Sequence, residues 1–133
     1  MKHPILTAMM AMLLNLLLFM GGAHAENLLS GGKYLKETVP YRQTDFRNIW
    51  VENDEEGLRV SGKLYLKSMR AFNLPRYVEV SLVDKDGSII ETRKVEYYPR
   101  ALTGNRHRHG ARFSALFDNT PPLGTTIRLS NVN

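Results

Sequence analysis

The chain has 133 residues, no cysteine and a formal net charge of +5 at pH 7. Without cysteine it has no disulfides, no thiol catalysis and no cysteine-based metal site. The mild basic excess allows weak attraction to anionic lipid or polymer surfaces, and we expect no nucleic-acid partner.

The first 25 residues have the pattern of a secretory signal peptide. Lys2 precedes an apolar run over residues 5–20, and Ala23-His24-Ala25 places small residues at both positions that a signal peptidase reads. The run is shorter than the roughly 20 residues that a helix needs to cross a bilayer, which leaves an uncleaved anchor as the alternative. We expect cleavage after Ala25, no stable membrane insertion afterwards, and no lipid anchor because no cysteine stands at the cleavage site.

The mature chain expected from this cleavage begins at Glu26. It has 108 residues after the loss of 25, and its net charge is +4 because only Lys2 among the basic residues is lost. A chain of this size forms one domain with a modest core. Small eukaryotic secreted domains usually rely on disulfides, so an exported domain without cysteine indicates a bacterial envelope protein, either periplasmic or secreted.

Residues 26–45 are a polar segment with turn formers, for which we predict a leader or one edge strand. From residue 46 the pattern is that of β-strands, so residues 46–133 are predicted to form the folded domain. The first of these strands covers Phe46–Glu52. Large aromatics dominate core burial, and those expected in the core are Phe46, Trp50, Phe113 and Phe117.

Residues 58–67 alternate between apolar and polar side chains, which is typical of a half-buried strand. Gly62 falls on the apolar face, where it accommodates a bulge or a close neighbour. Further strands are predicted over residues 77–84, 88–98, 107–118 and 125–132. A hairpin turn is predicted at Asp84–Gly87, because Asp-Gly readily adopts positive φ angles. The side chains predicted to point inward are Leu58, Val60, Leu64, Leu66, Val78, Val80, Leu82, Phe113, Ala115, Phe117, Ile127 and Leu129.

Six or seven short strands separated by turn signals predict an all-β protein. The mature sequence shows no convincing amphipathic helix, internal repeat or domain linker. We therefore expect a small antiparallel β-sandwich, preceded by the cleaved signal peptide.

Three stretches of this sandwich also carry a family resemblance. They read VSGKLYLKS at residues 60–68, YVEVSLVDKDGSIIETRKV at 77–95 and GARFSALFD at 110–118. Together, over residues 58–118, they resemble small immunoglobulin-like envelope domains of the FxLYD and LEA14-like type, although residues 80–84 read Val-Ser-Leu-Val-Asp in place of Phe-x-Leu-Tyr-Asp. The resemblance implies an immunoglobulin-like sandwich with a binding or accessory role, and it assigns no site residues.

The most unusual stretch is residues 104–113, where two histidines lie within a group of arginines. In an extended strand His107 and His109 point the same way and could face one metal ion. A metal site needs three or four converging ligands, however, and the neighbouring arginines repel a cation. An anion suits the segment better, because guanidinium groups present forked donors to carboxylate or phosphate. The predicted contact residues are Arg100, Arg106, His107, Arg108, His109 and Arg112, with Tyr97 and Tyr98 beside them.

No local signature of catalysis or of phosphate binding is present, so we expect no enzymatic activity and no cofactor. The leading prediction is an exported binding or accessory domain that contacts an envelope protein or an anionic polymer through the basic segment. One alternative is a periplasmic metal-binding accessory protein that uses His107 and His109. Another is a small hydrolase, which needs a pocket of a few hundred Å³ with converging polar groups.

Overall fold

The fold is described by a computed structural model over residues 26–67, 74–100 and 110–133. These residues form seven strands and no helix, which confirms the prediction of an all-β protein. The expected signal peptide, residues 1–25, lies outside the described residues. The strands are β1 (Leu35–Thr38), β2 (Thr44–Asp54), β3 (Gly57–Leu66), β4 (Tyr77–Val83), β5 (Ile89–Glu96), β6 (Ala111–Phe117) and β7 (Thr126–Val132).

The strands form two sheets, consistent with the predicted β-sandwich. One sheet has the order β1-β7-β4-β5 and the other has the order β2-β3-β6. All neighbouring strands are antiparallel except β1 and β7, which run parallel with Leu35 opposite Thr126. The expectation of a wholly antiparallel sandwich is wrong for this pair. Because the two strands are parallel, a hairpin cannot join them. The N-terminal segment brings the chain to this edge of the sheet, where the Lys33 carbonyl accepts from the Gly124 N–H just before β7.

The inward faces of the strands meet in one core. Every side chain predicted to point inward in β3, β4, β6 and β7 is buried, which confirms the alternation pattern. Each fully buried aliphatic or phenylalanine side chain contributes about 1.5–3 kcal/mol, so this core is the main source of stability. Phe46 packs against it from a half-buried position, with its ring at 80° to that of Phe113. The close neighbours predicted at Gly62 are confirmed, since a Cβ atom there would lie 2.5 Å from Ile49 Cδ1 and 3.0 Å from Phe113 Cζ.

The turn at Asp84–Gly87 joins β4 to β5, as the sequence predicts. Gly87 has a φ angle of 87°, which a residue with a side chain rarely adopts. The Asp84 carboxylate accepts hydrogen bonds from the backbone N–H groups of Asp86 and Ser88, both at 2.9 Å. The aspartate therefore closes the turn from within, and the glycine supplies the backbone angle that the turn needs.

The N-terminal part of residues 26–45 belongs to the core as well as to a sheet edge. Leu28 and Tyr34 are both buried. The Leu28 N–H donates to the Val51 carbonyl at 2.8 Å, and the Asn27 side chain accepts from the Val51 N–H at 3.1 Å. Because the chain then continues into β1, this segment covers the gap between β2 of one sheet and β7 of the other.

Trp50 does not lie in the core, so the prediction for this residue is wrong. A β-bulge interrupts the β2–β3 register between Arg47 and Trp50, and Asn48 within it has a φ angle of 54°. The bulge directs Ile49 and Val51 inward and leaves Trp50 on the outer face, 40% exposed. The sequence pattern lacks any mark of this extra residue, because Ile49-Trp50-Val51 is apolar throughout.

Two buried tyrosines make the fold sensitive to alkali. Burial raises the pKa of Tyr34 and of Tyr97, and the nearby Arg100 charge offsets only part of the shift at Tyr97. Since the folded state favours the neutral phenol, the stabilisation is complete below the ordinary tyrosine pKa of about 10 and is lost as the pH rises further. We expect the free energy of unfolding, measured by urea titration, to fall above about pH 10. The fall should be shallower in Tyr97→Phe, and an identical profile in that variant would contradict the assignment.

Candidate functional site

Two of the six predicted contact residues lie in the described part of the chain. Arg100 follows β5, and Arg112 is the second residue of β6. Arg106, His107, Arg108 and His109 fall within residues 101–109, which lie outside the described residues. The alternative prediction of a metal site at His107 and His109 concerns the same undescribed segment.

Arg112 is fixed at the point where the two sheets approach each other. Its N–H donates to the Tyr98 carbonyl at 2.7 Å, and its carbonyl accepts from the Tyr98 N–H at 2.9 Å. Tyr98 follows the last strand of the four-stranded sheet, whereas Arg112 belongs to the three-stranded sheet. Both backbone polar groups of Arg112 therefore bond to Tyr98, while Lys63 of β3 lies opposite Arg112 on its other side and the Arg112 side chain is exposed.

Arg100 and Arg112 have different surroundings. The Arg100 guanidinium lies 3.8 Å from the Glu96 carboxylate and 3.5 Å from the Arg76 carbonyl oxygen. Tyr97 is buried and donates its hydroxyl to the Pro75 carbonyl at 2.6 Å, whereas Tyr98 is 79% exposed. Of the two tyrosines named beside the basic segment, only Tyr98 offers its ring to a partner.

A row of three cations crosses the outer face of the β2-β3-β6 sheet. Arg47 of β2 lies opposite Lys63 of β3, and Lys63 lies opposite Arg112 of β6. Residues directly opposite each other project on the same face, and neighbouring strands are about 4.8 Å apart, so the row spans about 10 Å. We call Arg47, Lys63 and Arg112 the cation row.

The cation row is only partly neutralised by the protein. Arg47 donates to the Asp45 carboxylate at 3.1 Å and lies over the Tyr65 ring at 4.7 Å. Within residues 26–67, 74–100 and 110–133, neither Lys63 nor Arg112 has a carboxylate within ion-pair distance. Like charges directly opposite in a sheet are destabilising, so the row has a stability cost that a bound anion would offset.

A shallow depression of about 410 Å³ lies beside the cation row. Its lining residues are Asn48, Ser61, Gly62, Lys63, Glu96, Arg112, Phe113 and Ser114. A second depression, lined in part by Tyr98 and Pro99, shares Lys63 and Arg112 with the first. These two cations therefore stand between the two concave regions, where one extended ligand can reach both.

The next row along the sheet carries an aromatic ring and two hydroxyls. Trp50 lies opposite Ser61, which in turn lies opposite Ser114. On the other side of the cation row is Tyr65, whose ring would lie 3.0 Å from a Cβ atom at Gly110. The outer face thus combines fixed cations, hydroxyl groups and aromatic surface, which together suit an anionic ligand with polar and apolar parts.

Sequence reasoning identified Arg112 and missed Arg47, Lys63 and Trp50. The alternation of β3 does place Lys63 on the outer face together with Ser61 and Tyr65. Alternation does not show which residues of neighbouring strands lie opposite each other. Only this cross-strand register shows that Lys63 stands between two arginines.

Comparison with known proteins gives no relative from which a site could be transferred. No family model, no curated protein and no solved structure matches the chain. The described ranges hold no group of three His, Asp or Glu side chains placed to bind a metal ion. They also contain no helix long and apolar enough to cross a bilayer.

Proposed function

We propose that the protein is an exported, non-enzymatic domain of the bacterial envelope that binds an anionic partner. The proposal includes export to the periplasm or beyond the cell, cleavage after Ala25 and an immunoglobulin-like sandwich. The observation that carries it is the cation row, in which Lys63 stands opposite an arginine on each side. The proposal also includes the contact residues predicted at Arg106, His107, Arg108 and His109, which lie outside the described residues.

The arrangement favours binding for an energetic reason. Three cations held on neighbouring strands repel one another in the free protein, and a bound anion replaces this repulsion with attraction. The two guanidinium groups offer forked donors that match carboxylate or phosphate oxygens, and the lysine supplies a mobile point charge between them. Because the strands are locked by backbone hydrogen bonds, little ordering of the scaffold is needed on binding.

The shape of the surface supports recognition over catalysis. The depression is shallow, and the one carboxylate among its lining residues, Glu96, lies 3.8 Å from the Arg100 guanidinium. Acid–base or nucleophilic catalysis depends on a proton donor or acceptor held within hydrogen-bond reach of a reacting group. An open face lined by Lys63, Arg112 and two serines suits the positioning of a charged chain.

The proposal predicts charge-dependent binding at the cation row. The full chain is expressed and the protein recovered from the periplasm, where a mature N-terminus at Glu26 is expected. Binding to immobilised polyglutamate, a simple anionic chain, should weaken as salt is raised. The double variant Lys63→Ala/Arg112→Ala should bind about tenfold more weakly, equivalent to about 1.4 kcal/mol.

The matched control also removes two positive charges, but from the other sheet. Lys36→Ala/Lys94→Ala alters exposed lysines of β1 and β5 and should leave binding nearly unchanged. Equal weakening by the two double variants would show non-specific attraction and contradict the proposal. Retention of the protein in the cytoplasm with its first 25 residues intact would contradict the exported location.

A further inference from the structure

We infer that the anionic partner is an acidic polysaccharide, which lies on the outer face of the β2-β3-β6 sheet. Its carboxylate or phosphate groups are bound by the cation row, and one sugar ring stacks on Trp50. This inference rests on the proposed function and specifies the ligand of the same surface. Its own evidence is the placement of Trp50 and of the serine hydroxyls beside the cations.

A β-bulge in β2 exposes Trp50 to solvent. The bulge at Asn48 has a positive φ angle of 54°, which non-glycine residues seldom adopt. It directs Trp50 outward between two inward-facing residues, Ile49 and Val51. Bulges of this kind commonly re-aim a side chain near a binding site. The indole N–H donates to the Glu52 carboxylate at 3.3 Å, which holds one edge of the ring and leaves a large part of its surface exposed.

The spacing between the aromatic ring and the charges suits a sugar chain. Ser61, opposite Trp50, and Lys63, at the centre of the cation row, are two residues apart on β3. At about 3.4 Å per residue the two rows are separated by about 7 Å, comparable to the size of a pyranose ring. One ring can therefore stack on Trp50 while the acid group of its neighbour reaches Lys63 or Arg112.

The remaining groups of the face match the polar edges of a carbohydrate. Ser61 and Ser114 lie opposite each other and line the depression, where their hydroxyls can donate to or accept from sugar hydroxyls. A folded protein partner is less suited to this face, since protein interfaces have an apolar core and Trp50 is the only large apolar side chain in its row. The combination of one platform ring, hydroxyls and fixed cations is best satisfied by a charged glycan.

The test uses polygalacturonate and its methyl ester, which share one backbone and differ in charge. The protein has a single tryptophan, so its fluorescence reports on Trp50 without a label. We expect polygalacturonate to change the Trp50 fluorescence and to bind at least about tenfold more tightly than the methyl ester, the size of a lost charge-assisted contact. The Trp50→Ala variant has no tryptophan, so its binding is measured by isothermal titration calorimetry beside the wild type. It should bind polygalacturonate about tenfold more weakly and polyphosphate, which has no sugar ring, equally well.

A second variant separates loss of binding from loss of folding. Lys63→Glu places a carboxylate between Arg47 and Arg112 and replaces two repulsive pairs with attractive ones. Its Tm in the absence of ligand should rise by about 2–4 °C, while binding of polygalacturonate is lost. A lower Tm with binding intact would overturn the assigned role of the row.

The outcomes distinguish the two levels of the proposal. If polygalacturonate and polyphosphate bind alike and Trp50→Ala affects neither, anion binding stands and the polysaccharide inference falls. If oligothymidylate binds more tightly than polygalacturonate with a matching fluorescence change, the ligand is a nucleic acid and the inference again falls. If no polyanion binds, neither polyglutamate nor these probes, both the inference and the proposed function fail.

Discussion

Replacing Gly57 with alanine is expected to lower the free energy of unfolding by about 3 kcal/mol or more. Gly57 begins β3 and has a φ angle of 139°, a value that L-residues rarely adopt. A Cβ atom at this position would lie 2.0 Å from the carbonyl oxygen of Phe117 in β6. Because the obstacle is backbone of a paired strand, no side-chain rotation can relieve it. The pairing of β3 with β6 must therefore shift, and this disturbs the core because both strands contribute buried side chains to it.

The matched control for Gly57→Ala is Gly87→Ala in the β4–β5 hairpin. Gly87 also has a positive φ angle, but a Cβ atom there would meet nothing within 4 Å. The free energy of unfolding of this variant should therefore fall by only about 1 kcal/mol, the cost of placing an alanine at a positive φ angle. Urea unfolding of both variants measures the difference. Equal losses would show that the contact with Phe117 is relieved without cost and would contradict the steric argument.

The second large effect is expected at Tyr34. Its side chain is only 2% exposed, and its hydroxyl donates to the Pro121 carbonyl at 2.8 Å. Tyr34→Ala should lower the free energy of unfolding by about 3–5 kcal/mol, because it leaves a cavity where a large ring was buried. Since small domains are stable by only about 5–15 kcal/mol, this change brings the protein close to unfolding at 37 °C.

Tyr34→Phe separates the hydrogen bond from the burial of the ring, and Leu35→Ala serves as a control at the neighbouring position. Tyr34→Phe keeps the ring and removes the hydrogen bond, so it should cost about 1 kcal/mol. Leu35→Ala alters the next residue, which is 56% exposed, and should change the free energy of unfolding by less than about 0.5 kcal/mol. A Tyr34→Ala protein as stable as the wild type would show that residues 26–34 do not contribute to the core.

Local features of the sequence were sufficient to predict the strands that make up the body of the fold. Alternation in β3 placed Leu58, Val60 and Leu64 inward, and all three are fully buried. Turn chemistry placed the Asp84–Gly87 hairpin correctly, because a single aspartate and a single glycine determine it. Such predictions succeed since period-2 patterning and turn geometry depend on neighbours a few residues apart.

The local sequence pattern could not predict features that depend on pairing between residues far apart in the chain. The parallel pairing of β1 with β7 joins residues at opposite ends of the domain, and the core position of Tyr34 follows from it. The bulge at Asn48 reverses the expected burial of Trp50. Most of the proposed binding face has the same origin, because cross-strand register brings its three cations into one row and a sequence carries register only weakly.

The paired backbone groups of Tyr98 and Arg112 have a consequence for the segment between them. The chain leaves the scaffold after Tyr98 and returns to it at Arg112, and the backbone hydrogen bonds between these two residues fix both ends of the segment. A doubling of the length of such an insert costs only about 0.6 kcal/mol in closure entropy. We therefore expect changes in length or sequence between Arg100 and Gly110 to leave the register of both sheets intact.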